Sequence, residues 1–132
     1  MGQATMNPNE ITSAVIQSSI EIHQDLGPGL LESVYEDVLA HELAQRGLKV
    51  ERQKPVPIQY KGLIFPDPFR LDLLVESQVV VELKSVEELM PVNFRQVLTY
   101  LRLSGLNLGL LLNFNVPKLR EGIHRIVDRL PE

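Results

Sequence analysis

Apolar residues recur with helical spacing in two stretches near the start of the chain and then change to alternation. Ile11, Ala14, Val15 and Ile22 share one helical face, and Asn7-Pro8-Asn9-Glu10 ahead of them reads as a helix start, with a capping Asn, Pro at the first helical position and Glu three after the cap. Gly27-Pro28-Gly29 breaks this helix. Leu31, Val34, Tyr35, Val38, Leu39 and Leu43 then follow with helical spacing up to Gly47, which predicts a second helix over residues 30–46. From Leu48, Val50, Val56, Ile58 and Tyr60 alternate with polar residues while Pro55 and Pro57 forbid a helix interior, so this is a strand near a sheet edge. Residues 69–75 and 79–84 are two further strands around the polar segment Glu76-Ser77-Gln78, read as an antiparallel hairpin at the centre of the sheet. After Pro91, Phe94, Val97, Leu98 and Leu101 make a third amphipathic helix that Gly105 ends. Residues 107–114 form another apolar strand, and residues 122–127 alternate weakly, as a last strand or a final helix. The order ααβββαβ(β) predicts an α/β sandwich with a central mixed sheet flanked by helices, in a single domain over residues 1–132.

Composition narrows the chemistry. The chain has 132 residues, 44% hydrophobic and 23% charged, an ordinary globular balance able to bury one core. It has no Cys, which excludes disulfides and thiolate metal sites and directs any metal to carboxylates, carbonyls or the three histidines, hence to a hard ion such as Mg²⁺ or Mn²⁺. A net charge of -4 argues against broad attraction to nucleic acid. Basic residues nevertheless cluster as Lys118, Arg120, Arg125 and Arg129, and again as Lys49, Arg52, Lys54 and Lys61. The first residues lack a basic region followed by an apolar run, and no later stretch is long and apolar enough to span a bilayer, so a cytoplasmic protein without membrane association is expected.

The hairpin holds the candidate chemistry. Side chains alternate across a strand, so Val79, Val81 and Leu83 point one way and Val80, Glu82 and Lys84 the other. On the preceding strand Leu71, Leu73 and Val75 share one parity and Arg70, Asp72 and Leu74 the other. A hairpin centred on Ser77 sets Asp72 directly opposite Glu82, and like charges so placed destabilise a sheet unless something compensates them. One compensation is a divalent cation that takes both carboxylates and presents a phosphate with an activated water, beside a Lys84 that polarises the water or stabilises the transition state. The other is an exposed sheet face on which Lys84 bridges two acids. Apolar flanking runs on both strands favour a central hairpin over a solvated one.

Asp72 followed by Glu82-Leu83-Lys84 resembles the D…(D/E)xK signature of the PD-(D/E)XK nuclease superfamily, and Gln96 with Tyr100 resembles the QxxxY element of its exonuclease-like branch. Gly29-Leu30-Leu31-Glu32-Ser33-Val34-Tyr35 matches the motif that names the GxxExxY family of that superfamily, and the resemblance runs on through His23, Gln53-Lys54-Pro55, Tyr60-Lys61-Gly62, Arg70-Leu71-Asp72 and Asn113-Phe114. It implies a restriction-endonuclease-like fold and a Mg²⁺- or Mn²⁺-dependent nuclease that hydrolyses nucleic-acid phosphodiester bonds with a metal-activated water. Glu32 would be the helix-borne acid, Asp72 and Glu82 the metal-binding pair that Glu32 joins, and Lys84 the catalytic lysine; Gln96 and Tyr100, one turn apart, would contact phosphate or orient the lysine. The family pattern has a His where this chain has Asn93. Tyr35, on the apolar face of its helix, reads as a supporting core tyrosine with a bonded hydroxyl. His23 is either a packed or capping residue or, as in some exonuclease-like relatives, a metal ligand. Arg70 reads as a supporting residue, a sheet salt-bridge partner ahead of a phosphate clamp, Asn113 as the closure of its strand ahead of a substrate contact, and His41 and His124 as surface residues.

Three functions stand against one another: the nuclease, a non-catalytic binding module or subunit that keeps the nuclease fold, and an enzyme on another phosphorylated substrate. The quartet Glu32, Asp72, Glu82 and Lys84 favours the enzyme, while the acidic balance and small size favour the module. DNA and RNA are equally eligible partners. So small a core offers little surface for gripping a duplex, so a homodimer is expected.

Overall fold

The computed structural model describes residues 6–128; Arg129, counted above in the C-terminal basic group, lies outside them. The start signal at Asn7 forms as expected, since its side chain accepts from the Glu10 N–H at 2.9 Å while the Glu10 carboxylate accepts from the Asn7 N–H at 3.1 Å. This launches α1 (Pro8–Leu26), and α2 (Glu32–Gln45) follows the glycine break. Three strands come next, β1 (Val50–Tyr60), β2 (Leu63–Val75) and β3 (Val79–Lys84), then α3 (Pro91–Ser104), β4 (Leu108–Asn113), a 3₁₀ turn (Leu119–Gly122) and β5 (Ile123–Val127). The final segment is thus a strand rather than a helix.

The strands pair in the order β1-β2-β3-β4-β5, with β3 and β4 parallel and the other neighbours antiparallel. A long ribbon of β1 and β2 turns at Lys61-Gly62, both at positive φ (47° and 80°), the twist a two-residue hairpin needs. β2 begins at Leu63, earlier than expected, because Pro66 and Pro68 fall where pairing skips from Ile58–Phe65 to Val56–Phe69, so the missing N–H groups interrupt no ladder bond.

One core lies between the sheet and α1 and α2, built on Leu73, Val75, Val81, Leu83, Leu110 and Leu112. A smaller one, with Leu74, Val80 and Leu111, lies under Val97 and Leu101 of α3. The face α2 buries is rotated from the expected one: Tyr35, Leu39 and Leu43 are inside together with Glu36 and Ala40, while Leu31 is 74% exposed and Val34 is also exposed. Likewise Leu98 of α3 is exposed, and His124, expected at the surface, is half-buried edge-on to Phe94. Among the described residues no helix is long and apolar enough to cross a membrane.

Candidate active site

The three-residue loop between β2 and β3 centres the hairpin on Ser77, pairing Val75 with Val79, Leu74 with Val80 and Leu73 with Val81. One step further the backbone ladder gives way to side chains. The Asp72 N–H donates to Glu82 Oε1 at 3.1 Å, and the Leu83 N–H donates to Asp72 Oδ2 at 3.0 Å. Two carboxylates thereby replace ladder carbonyls where the strands part. The strict alternation of β2 ends at the same place, because Leu71 packs with Leu74 on the α3 side although it shares parity with Leu73.

Glu82 is 6% exposed, so the reading of a solvated face is overturned. Burial, followed by the negative charge of Asp72, pushes the Glu82 carboxyl up to about 9. Lys84, half-buried at the end of β3, is near enough to lower it slightly, yet among the described residues no ion pair involves Asp72, Glu82 or Lys84. From α3, Tyr100 stacks on Phe69 with centroids 4.2 Å apart. Burial, then the charges of Glu82 and Asp72, raises its hydroxyl above the ordinary tyrosine value, so it remains a neutral donor.

Between about 4.5 and about 9 the folded protein keeps the Glu82 proton that the unfolded chain has released, so metal-free stability falls as pH rises through that window. Urea unfolding in EDTA across this range should show the fall, and Glu82→Gln should flatten it.

The remaining expected site residues are placed differently. Glu32 is exposed on the first turn of α2, and among the described residues no group of three or more His, Cys, Asp or Glu side chains is drawn together as a ready-made metal cage. Gln96 is exposed one turn before Tyr100. His23 is buried with Nε2 2.9 Å from the Val116 carbonyl, an acceptor only, so that nitrogen donates and anchors α1 to the loop after β4. Arg70 pairs with Asp67 at 2.7 Å. Asn113 bonds both the N–H and the carbonyl of Val86, closing the end of β4 beside Lys84. Asn93 caps α3 by accepting from the Met90 N–H at 2.8 Å, a task that suits the amide in place of the family's His. In the second basic group, Arg52 is bonded to Glu36 and Asp37, and Lys54 to Glu51 at 2.9 Å, so these two charges are balanced locally.

Tyr35 is fully buried against Phe114, centroids 4.3 Å apart. Its hydroxyl donates to the Gly27 carbonyl at 2.6 Å and accepts from the Leu30 N–H at 3.2 Å, while the Leu30 carbonyl accepts from Ser85, next to Lys84, at 2.6 Å. Tyr35 therefore fixes the loop that presents Glu32. Tyr35→Phe leaves two backbone groups unpaired and should cost about 1–3 kcal/mol in urea unfolding.

Sequence reasoning missed Glu36 and, although the resemblance runs through Gln53, gave Gln53 no role. Glu36 is 8% exposed and accepts from Gln53 Nε2 at 2.7 Å, and that nitrogen lies 3.5 Å from Asp72 Oδ1. The available signal was position: Glu36 precedes Leu39 and Ala40 by three and four residues, which sets it on the buried face of α2.

The mixed five-stranded sheet between helices is that of a restriction-endonuclease-like fold. The family model described as the PD-(D/E)XK nuclease superfamily matches residues 9–126, and the chain belongs to that superfamily. Comparison with curated proteins and with solved structures gives no significant match.

Proposed function

We propose that the protein is a metal-dependent nuclease that hydrolyses phosphodiester bonds in nucleic acid and, on the residues Gly29, Glu32 and Tyr35, a member of the GxxExxY group. The observation that carries this is the acid pair: Asp72 and buried Glu82 bonded to each other's strands with no cation among the described residues in ion-pair contact. Such a pair is unfavourable by itself and fits a hard divalent cation, with all-oxygen donors in a chain that has no Cys. Asp72 and Glu82 would hold Mg²⁺ or Mn²⁺, with Glu32 as an outer ligand. The ion supplies Lewis-acid activation of water and of the scissile phosphate.

Lys84, without an acid partner, faces the negative charge that grows on the phosphate in the transition state. The Tyr100 hydroxyl, a neutral donor near the charges of Glu82 and Asp72, would donate a hydrogen bond to the phosphate from the α3 side, and exposed Gln96 would position the strand one turn away. The partner is nucleic acid, and a homodimer would supply the grip that one small copy lacks.

The test is cleavage of labelled single- and double-stranded DNA and RNA with Mg²⁺, Mn²⁺ or EDTA, at low salt so that an acidic protein still meets its substrate. Metal-dependent cleavage of any of them is expected. Binding without cleavage across the whole panel would select the non-catalytic module instead.

A further inference from the structure

We propose that Gln53 is a positioning residue for Asp72, held in place by the buried carboxylate of Glu36. The inference rests on the reading of Asp72 and Glu82 as metal ligands and adds to it a support built from β1 and α2.

Three independent features meet at Gln53. Its backbone has φ 48°, the left-handed region that a glutamine rarely enters, in the middle of a strand. Pairing passes from Arg52–Leu73 to Lys54–Leu71 with no Gln53–Asp72 step, so the distortion falls opposite the acid. Such conformations persist where surroundings over-determine them, and they cluster at functional sites. Here the surroundings are identifiable: Arg70 Nη1 lies 3.5 Å from the Gln53 carbonyl, and Glu36 Oε1 takes the side-chain amide at 2.7 Å.

The chemistry of the amide sets its direction. Glu36 is itself clamped by Arg52, whose Nη2 and Nε donate to Glu36 Oε2 at 2.9 and 3.2 Å. A carboxylate so held accepts from the NH₂ end of Gln53 and rejects its carbonyl end. The same NH₂ then faces Asp72 Oδ1 at 3.5 Å, while Asp72 Oδ2 is fixed by the Leu83 N–H at 3.0 Å. Asp72 is thus oriented from both oxygens, one by its neighbouring strand and one by Gln53. Partners of this kind behind a metal-binding carboxylate typically change metal affinity about 10–100-fold when removed.

The experiment is calorimetric Mn²⁺ titration of the full chain, paired with the melting temperature in EDTA, for wild type, Gln53→Ala, Gln53→Gly, Glu36→Gln, the Glu36→Gln/Gln53→Ala double variant and Asp72→Asn. Gln53→Ala and Gln53→Gly should each weaken Mn²⁺ binding by about tenfold. Both lose the bond to Glu36, but without metal Gln53→Gly should melt above Gln53→Ala, because glycine occupies the left-handed conformation freely. Equal loss of Mn²⁺ affinity in two variants of different metal-free stability is the signature, since a residue of purely structural value would make affinity follow stability. Glu36→Gln should weaken binding in the wild-type background and add nothing in the Gln53→Ala background, because it acts through Gln53. If the Gln53 variants bind Mn²⁺ as tightly as wild type while Asp72→Asn does not, the positioning role is overturned and the metal site stands. If affinity follows metal-free stability, with Gln53→Gly binding Mn²⁺ more tightly than Gln53→Ala in proportion to its higher melting temperature, the role is structural and the inference is again overturned. If the wild type binds no Mn²⁺, the metal reading and this inference fall together.

Discussion

Lys84→Ala should lower the rate of metal-dependent cleavage about 10²–10³-fold. Its ammonium stands beside Glu82 without forming an ion pair, so its charge is not neutralised in the resting protein. Negative charge develops on the phosphate only as the transition state is approached, so the loss should appear mainly in turnover. Affinity for Mn²⁺ should hold or rise slightly, since the substitution removes a neighbouring cation and no ligand. Affinity for nucleic acid should fall only modestly, because one phosphate contact is a small part of the total. Single-turnover cleavage with the variant and wild type side by side separates these quantities. Equal rates would remove Lys84 from the mechanism.

Asp72→Asn should remove most of the response to metal. At an Mn²⁺ concentration about 100 times the dissociation constant, linkage adds about 2.7 kcal/mol to the wild type, roughly 10 °C in melting temperature for a domain of this size. The variant should lose most of that rise. Without metal it should be at least as stable as the wild type, for two reasons. Asn keeps an oxygen that can accept from the Leu83 N–H, and removing the Asp72 charge relieves one of the pressures on Glu82. An equal metal-induced rise in both proteins would place the ion elsewhere.

The acid pair was legible in the sequence because a three-residue loop leaves the hairpin one register in which both apolar runs face the cores, and that register sets Asp72 against Glu82. The start of α1 was legible for a local reason, since Asn7 and Glu10 satisfy backbone groups within a single turn. The opening of the hairpin at Asp72 was not legible. It arises when carboxylates take over backbone bonds, and strict alternation has no way to express that exchange. The buried face of α2 was misjudged for a related reason: Glu36 enters the interior only because Arg52 and Gln53, distant in sequence, meet it there, whereas Leu31 and Val34 carry the apolar period but lie beyond the sheet's cover. Glu32 and Gln96 were found through resemblance alone, and both lie exposed.

The most direct measurement is the anomalous difference map of a crystal soaked in Mn²⁺, with data collected at an energy where manganese scatters anomalously. A single strong peak is expected at coordination distance from carboxylate oxygens of both Asp72 and Glu82, and it should be missing from Asp72→Asn crystals grown the same way. A peak bound by other residues, or one that persists unchanged in the Asp72→Asn crystal, would contradict the assignment of this pair as the metal site.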